Sequence, residues 1–150
     1  MKIIIQRVSS ANVEISNTIK SQIAKGYLIL LGISQNDNND DIDWLVNKIV
    51  NLRIFNDFDS KMNLTIKEIK GEILLISQFT LFASTKKGNR PSFIKSAKPE
   101  IAIPLYEQFI KALSLKMEKE IKTGIFGADM QVNLTNDGPV TITIDTENKI

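Results

Sequence analysis

The stretch MQVNLTNDGPVTITID, which begins at Met130, constrains the fold more than any other part of the chain. Apolar and polar side chains alternate on both sides of its centre, and this period of two predicts two β-strands. Between such strands, Asp137-Gly138 is typical of a tight hairpin turn. Pro139 follows at once, and a proline has no N–H group to donate to a neighbouring strand. The pattern therefore predicts two strands around a turn whose shape serves something other than an ordinary hairpin.

Two interpretations of this turn stay open at the level of sequence. In the first, the segment NDGPVT is an ordinary turn with a proline at the edge of a sheet. In the second, it presents the backbone carbonyl groups of Gly138-Pro139 to something outside the chain. A cis peptide bond suits the second interpretation, but only about 5–6% of X–Pro bonds in folded proteins are cis. The sequence alone does not decide the isomer.

The rest of the chain predicts a mixed α+β fold. MKIIIQRV and ANVEIS are typical of two strands joined at Ser9-Ser10, while GYLILLGIS and EILLISQFTLF are typical of buried strands. LRIF, TGIFGADMQVNLT and VTITID indicate further strands. Because strands and helices do not alternate regularly, we expect one domain over residues 1–150 with a mixed or antiparallel sheet.

Two amphipathic helices are expected to pack on that sheet. The first follows the segment NDNNDDID, whose Asn and Asp residues favour helix capping over a calcium loop. Its apolar residues recur at helical spacing from Ile42 to Leu52. The second begins at Pro99, which suits the first turn of a helix, and its apolar face runs from Tyr106 to Met117.

Composition excludes several kinds of chemistry, because the chain contains no cysteine and no histidine. Disulfides, thiolate metal sites, cysteine nucleophiles and Ser-His-Asp triads are therefore excluded. If the protein is an enzyme, its acid–base chemistry comes from a carboxylate, a lysine, the backbone, water or the substrate. The net charge of +2 does not by itself indicate a nucleic-acid-binding protein. No apolar stretch approaches the roughly 20 residues of a membrane span, so the cytoplasm is the expected location.

Polar residues interrupt the apolar segment ISQFTLF at Ser77, Gln78 and Thr80. One interpretation is a strand end whose hydroxyl groups bond to nearby backbone. The other is a site at the end of the strand, with the Thr80 hydroxyl near a scissile bond and local N–H groups forming an oxyanion hole. Without a histidine to act as its base, Thr80 lacks an obvious activator as a covalent nucleophile.

A basic loop follows this segment. Between Glu72 and Glu100 there is no acidic residue, whereas the stretch TKKGNRPSFIKSAKP carries five cations. They are Lys86, Lys87, Arg90, Lys95 and Lys98. The loop is either a solvated charged segment or a surface that contacts phosphate groups. Its single glycine among lysines matches no phosphate-binding loop.

SQFTL and NDGPVT together, in this order, resemble the two motifs of the D-aminoacyl-tRNA deacylase family. MKIIIQRVSSANV, RIFNDFDSKMNLTI, KKGNRPSF and GIFGADMQVNLTNDGP are similar to that family as well, so the resemblance covers essentially the whole chain. It implies a barrel-like sheet, a homodimer with active sites at its interface, and hydrolysis of the ester that joins a D-amino acid to tRNA. Glycine mischarged on tRNA is implied as a further substrate.

The resemblance also implies roles for individual residues. Gly138 and Pro139 would form a Gly-cisPro motif that one subunit inserts into the pocket of the other to exclude L-amino acids, and Arg7 would hold this motif in place. The catalytic residues implied are Ser77, Gln78, Phe79 and Thr80, which build the pocket, and Phe126 is the implied pocket residue near the adenosine. Catalysis would use the terminal 2′-hydroxyl of the tRNA and backbone N–H groups, with neither metal nor cofactor. Lys86, Lys87 and Arg90 are the expected tRNA phosphate contacts.

Two other functions remain open. The protein could be a non-catalytic tRNA-binding module, in which the basic loop binds and the motifs are structural. It could instead be a domain that edits a misacylated L-amino acid, although a free-standing chain with NDGPVT argues against this.

Overall fold

In the computed structural model, which describes residues 1–149, a long first strand organises a mixed sheet. The strands are β1 (Lys2–Ile15), β2 (Thr18–Ile23), β3 (Gly26–Gly32), β4 (Phe55–Asn56), β5 (Met62–Leu64), β6 (Glu72–Ser77), β7 (Lys122–Thr123) and β8 (Gln131–Asp145). The helices are α1 (Asn39–Asn51), a 3₁₀ helix (Phe79–Phe82) and α2 (Pro99–Met117).

The sheet combines antiparallel and parallel pairs and nearly closes into a barrel. β1 pairs along one edge with β8, and along the other with β3 and then β2, all antiparallel. β6 lies parallel to β3, and β7 lies parallel to β6. The Ser21 hydroxyl on β2 donates to the carbonyl oxygen of Thr123 on β7 at 2.7 Å, which draws the two ends of the sheet together. The predicted fold class, a mixed barrel-like sheet with two helices, is confirmed.

The predicted turn at Asp137-Gly138 is wrong, because the segment lies inside β8. Gln6 pairs with Thr141 and Val8 pairs with Asn136, so residues 137–140 all lie opposite Arg7. Both flanks thus pair with β1 rather than with each other. Extra residues that one strand cannot match form a bulge in an otherwise continuous ladder. The Gly138–Pro139 peptide bond within this bulge is cis.

The predicted joint at Ser9-Ser10 is also wrong, because β1 continues through it as one strand. Its first half buries Ile3 and Ile5 in the core cluster beneath the helices. Its second half buries Ala11 and Val13 in a second cluster inside the barrel. The register of the β1–β8 ladder shifts between these halves, which allows a single strand to serve both cores.

Both α-helices form where capping residues and apolar periodicity in the sequence predicted them. The side chain of Asn38 accepts a hydrogen bond from the N–H of Asp40 at 2.8 Å, and the Asp41 carboxylate accepts one from the N–H of Asn38 at 3.0 Å. Pro99 lies in the first turn of α2. The inner faces of α1 and α2 bury Leu45 and Phe109 in the first core cluster. Burial of each such side chain contributes about 1.5–3 kcal/mol to stability.

Several predicted strands are shorter in the structure. Only Phe55 of LRIF belongs to a strand, and most of TGIFGADM lies in a loop before β8. The predicted strand Glu72–Phe82 ends at Ser77, and the chain turns into the 3₁₀ helix. None of the helices within residues 1–149 is long and apolar enough to cross a membrane.

Candidate functional site

A cavity of about 310 Å³ opens where β6 ends. Leu31, Ile76 and Ala102 form part of its apolar wall. The remaining wall includes Ser77, Gln78 and Phe79 from the end of β6, and residues 126–130 from the loop before β8. The structure therefore brings three of the four predicted catalytic residues together with the predicted pocket residue Phe126.

Close packing holds the 3₁₀ helix at the end of β3. The N–H group of Gln78 donates to the carbonyl oxygen of Leu31 at 2.7 Å, which continues the pairing of β6 with β3 for one more residue. A side chain at Gly32 would place its Cβ 3.0 Å from the carbonyl oxygen of Gln78 and 3.1 Å from the Cβ of Leu81. Glycine at position 32 therefore lets the helix begin directly above the strand.

Thr80 lies beside the cavity but does not line it. Its side chain is exposed, and its hydroxyl oxygen accepts a hydrogen bond from the side-chain amide of Gln78. An oxygen that accepts from an amide is held in place and is a weaker nucleophile. The contact agrees with a structural use of the Thr80 hydroxyl more readily than with covalent catalysis.

The N–H groups at the start of the 3₁₀ helix point to a binding role for the backbone. Within residues 1–149, the N–H groups of Phe79 and Thr80 have no hydrogen-bond acceptor. The first N–H groups of a helix lack intrahelical partners and carry partial positive charge. Donors of this kind, next to a cavity, can stabilise a negatively charged oxygen.

The aromatic side of the cavity is neutral. The ring of Phe126 packs against that of Tyr106, with 5.7 Å between their centroids. The Tyr106 hydroxyl donates to the carbonyl oxygen of Leu75 at 3.1 Å, and burial raises the pKa of Tyr106 to about 12. Among the lining residues that the structure describes, only Asp129 carries a charge, and it is exposed.

Gly138 and Pro139 lie elsewhere, in the exposed bulge of β8, and do not line this cavity. Arg7, which is 7% exposed, supports the bulge from below. Its Nε donates to the carbonyl oxygen of Asp137 at 2.9 Å, and its Nη1 donates to that of Ile54 at 2.6 Å. The guanidinium thus ties the bulge to the segment that precedes β4. The support of the motif by Arg7 stays a prediction, and these contacts are the geometry on which it depends.

Asn136 is a supporting residue that the sequence analysis did not identify. Its Oδ1 accepts a hydrogen bond from the N–H of Val140 at 2.8 Å, and its Nδ2 donates to the Thr141 hydroxyl at 3.0 Å. The side chain therefore bridges the base of the bulge. Asparagine at the start of a turn often bonds to backbone farther along the chain, and that tendency was the available signal.

The predicted phosphate contacts come together in a second concavity of about 290 Å³. Lys86, Lys87 and Arg90 line it together with Lys95. Backbone hydrogen bonds between Ser84 and Ser92, at 2.8 and 2.9 Å, close the base of this loop. Among residues 1–149, no cluster of three or more Asp or Glu side chains is suited to hold a metal ion.

A family model and a curated relative both match this chain, and the two matches agree on the family. Residues 4–145 match the family model described as D-Tyr-tRNA(Tyr) deacylase. The chain is 65% identical over 149 residues to a D-aminoacyl-tRNA deacylase of Bacteroides fragilis (strain YCH46), with 99% of each chain covered.

Two solved structures have a similar fold. A c-Myc DNA Unwinding Element Binding Protein superimposes with a TM-score of 0.91 at 40% identity, covering 97% of this chain and 99% of that one. A probable eukaryotic D-amino acid tRNA deacylase superimposes with a TM-score of 0.82, covering 95% of this chain and 97% of the other. At 14% identity, the second comparison supports the fold alone.

Proposed function

This chain belongs to the D-Tyr-tRNA(Tyr) deacylase family, and from that premise we propose that it hydrolyses the ester between a D-amino acid and the 3′ adenosine of tRNA. The products are the free D-amino acid and tRNA. Glycine mischarged on the alanine tRNA is a further substrate, because glycine has no side chain to exclude. Aminoacylated tRNA is present where translation takes place, so we assign the activity to the cytoplasm.

The observation that carries this proposal is the pair of N–H groups on Phe79 and Thr80 beside the cavity, for which residues 1–149 offer no acceptor. When water attacks an ester carbonyl, the carbonyl oxygen becomes negatively charged. Preorganised donors stabilise that charge without having to reorganise during the reaction. With the amino acid in the cavity, its ester carbonyl lies at the mouth, within reach of these donors.

We propose that the substrate supplies the proton transfer. The chain has no histidine, and Asp129 is the one charged residue among the described lining. The 2′-hydroxyl of the terminal ribose lies next to the ester and can orient the attacking water. The bond between the carbonyl carbon and the ribose 3′-oxygen then breaks, and the proton from water ends on that oxygen. The proposal includes neither a metal nor a cofactor.

Selection between D- and L-amino acids needs a wall rather than a better fit. The two esters carry identical groups, and matching apolar surfaces separates substrates by only about 1–3 kcal/mol per methylene. Sparing the abundant L-aminoacyl-tRNA needs about 10⁴-fold discrimination, or about 5.5 kcal/mol. A rigid backbone that clashes with one configuration can supply this difference. We assign that wall to the carbonyl groups of Gly138 and Pro139.

We further propose that the wall acts across a homodimer. Gly138 and Pro139 are exposed and do not line the cavity of their own chain. Arg7 and Asn136 nevertheless hold the bulge in a defined shape through hydrogen bonds. A fixed, exposed segment that does not line its own cavity fits insertion into the cavity of a second copy.

Deacylation of matched D-Tyr-tRNA and L-Tyr-tRNA by the purified protein, with a chelator present, tests the proposal. We expect rapid cleavage of the D-ester alone. Cleavage of both esters would contradict the wall at Gly138-Pro139. If a folded dimer binds tRNA and cleaves neither ester, the tRNA-binding module becomes the better explanation.

A substrate that ends in 2′-deoxyadenosine tests the source of the proton transfer. We expect the 2′-deoxy ester to be cleaved much more slowly than the ribose ester. Undiminished cleavage of the 2′-deoxy ester, together with loss of activity in Asp129→Asn, would move the role to that carboxylate.

A further inference from the structure

An exposed aromatic pair, Phe79 and Phe93, lies next to the cavity. The centroids of the two rings are 5.1 Å apart, and their planes meet at 72°. Phe79 is 55% exposed although it is a large apolar side chain, while Phe93 is half-buried behind it. Edge-to-face contact holds the pair in a fixed arrangement and leaves ring surface open to solvent.

The aromatic pair lies between the cavity and the basic concavity. Phe79 itself lines the cavity. Phe93 is flanked in the chain by Ser92 and Ile94, which line the basic concavity, and Ser96, which follows closely, lines the cavity. The contact between Phe79 and Phe93 therefore joins the cavity to the basic concavity.

We propose that the aromatic pair is a stacking site for the nucleobase that precedes the terminal adenosine of tRNA. This inference rests on the proposed function, which puts the ester in the cavity and phosphate groups at the basic concavity. The single-stranded 3′ end that joins them must then cross the aromatic pair. Aromatic side chains beside a cationic surface are typical of single-strand binding, and stacking accepts any base.

The test compares two esters that differ only in the nucleotides before the terminal one. D-tyrosyl-adenosine lacks the stacking base, whereas D-tyrosine esterified to the trinucleotide CpCpA contains it. For each ester, KM and kcat are measured for the wild-type protein, Phe93→Leu and Phe93→Tyr. Phe58→Leu is the matched control, because Phe58 is a fully exposed phenylalanine outside both depressions.

We expect Phe93→Leu to raise KM for the trinucleotide ester about 5- to 150-fold relative to the adenosine ester, which is the range expected for loss of one stacked base. Phe93→Tyr keeps an aromatic face and should restore the wild-type ratio of the two KM values. Phe58→Leu should leave that ratio unchanged. Because no charge is altered, the salt dependence of tRNA binding should also stay the same.

Equal effects of Phe93→Leu on both esters, or no effect on either, would overturn the proposal, since Phe93 would then only support the cavity wall or do nothing. The dissociation constant of uncharged CpCpA, measured by calorimetry for the same variants, separates this result from failure of the proposed function. If the wild-type protein cleaves no ester, weaker CpCpA binding by Phe93→Leu still supports the stacking site, and unchanged binding rejects it.

Discussion

Replacement of Gly138 by alanine is the most direct test of the bulge in β8. The backbone φ at Gly138 is +135°, a conformation that L side chains rarely adopt. A Cβ at this position would lie 2.8 Å from Cγ2 of Val140 and 3.0 Å from an Nη atom of Arg7. The new methyl group must therefore push Cγ2 of Val140 aside and shift the guanidinium that supports the bulge.

The expected loss of stability follows from these contacts. Holding an alanine at this φ costs about 1–3 kcal/mol. Arg7 is 7% exposed, and its hydrogen bonds to Asp137 and Ile54 are 2.9 and 2.6 Å long. Losing one hydrogen bond of a charged group costs about 1.5–3 kcal/mol more. We expect the free energy of unfolding to fall by about 2.5–6 kcal/mol, which is a large part of a typical total of about 5–15 kcal/mol.

Equilibrium unfolding in urea, followed by circular dichroism, measures this loss. Gly88→Ala is the matched control, because Gly88 has a φ of +127° and nothing lies within 4 Å of the position of its Cβ. The control should lose only the backbone part, about 1–3 kcal/mol. Equal losses in the two variants would refute the argument that Arg7 braces Gly138. The ratio of D-Tyr-tRNA to L-Tyr-tRNA cleavage should fall in Gly138→Ala alone.

Four further changes test the rest of the site. Thr80→Ala should keep kcat/KM within about tenfold of wild type, because loss of a true nucleophile costs about 10⁴-fold or more. Charge reversal at Lys86 and Lys87 should weaken tRNA binding and reduce its slope against log salt by about 1.5–2. Asn136→Ala should lower both the D-to-L cleavage ratio and, by about 1–2 kcal/mol, the free energy of unfolding. Burial raises the pKa of Tyr106 to about 12, above the 10.0 of an exposed tyrosine, so the contribution of this shift to stability is fully present below pH 10 and is lost as the pH rises toward 12. Tyr106→Phe should therefore make the free energy of unfolding fall less steeply between about pH 10 and 12.

Each of these expectations has a result that would contradict it. Total loss of activity in a folded Thr80→Ala protein would return Thr80 to the nucleophile role. An unaltered salt slope would mean that the phosphate groups lie elsewhere. Asn133 serves as the control for Asn136, because it lies on the same strand and donates to Asn12 at 3.0 Å, away from the bulge. Equal effects of alanine at both positions would reject a specific role for Asn136. Identical alkaline unfolding of wild type and Tyr106→Phe would exclude Tyr106 as the titrating group.

The helices were predictable because their signals are local. The capping pattern from Asn38 to Asp41 and the proline at position 99 lie within one turn of the structure that they determine. Polar residues at Ser77 and Gln78 likewise marked the place where β6 ends and the cavity begins.

The bulge was not predictable from local pattern, because its shape depends on a distant partner. Alternation on each side of Gly138 correctly indicated extended chain, but both flanks pair with β1 at the other end of the chain. A period of two does not specify which strand is the neighbour. The hydrogen bonds of Asn136 and Arg7 to the bulge follow from that long-range pairing and could not be inferred before it was known.

The pairing of β1 with β8 has a consequence for the order in which parts of the protein fold during synthesis. β1 leaves the ribosome before β8, which is synthesised more than a hundred residues later. Pairing between such distant segments is slow and completes late in folding. Met130, which lines the cavity, directly precedes β8, and Val132, which also lines it, lies within the same strand as Gly138. Because Val132 of the cavity lining and Gly138 of the bulge belong to one strand, we expect the cavity and the bulge to form together, late in folding.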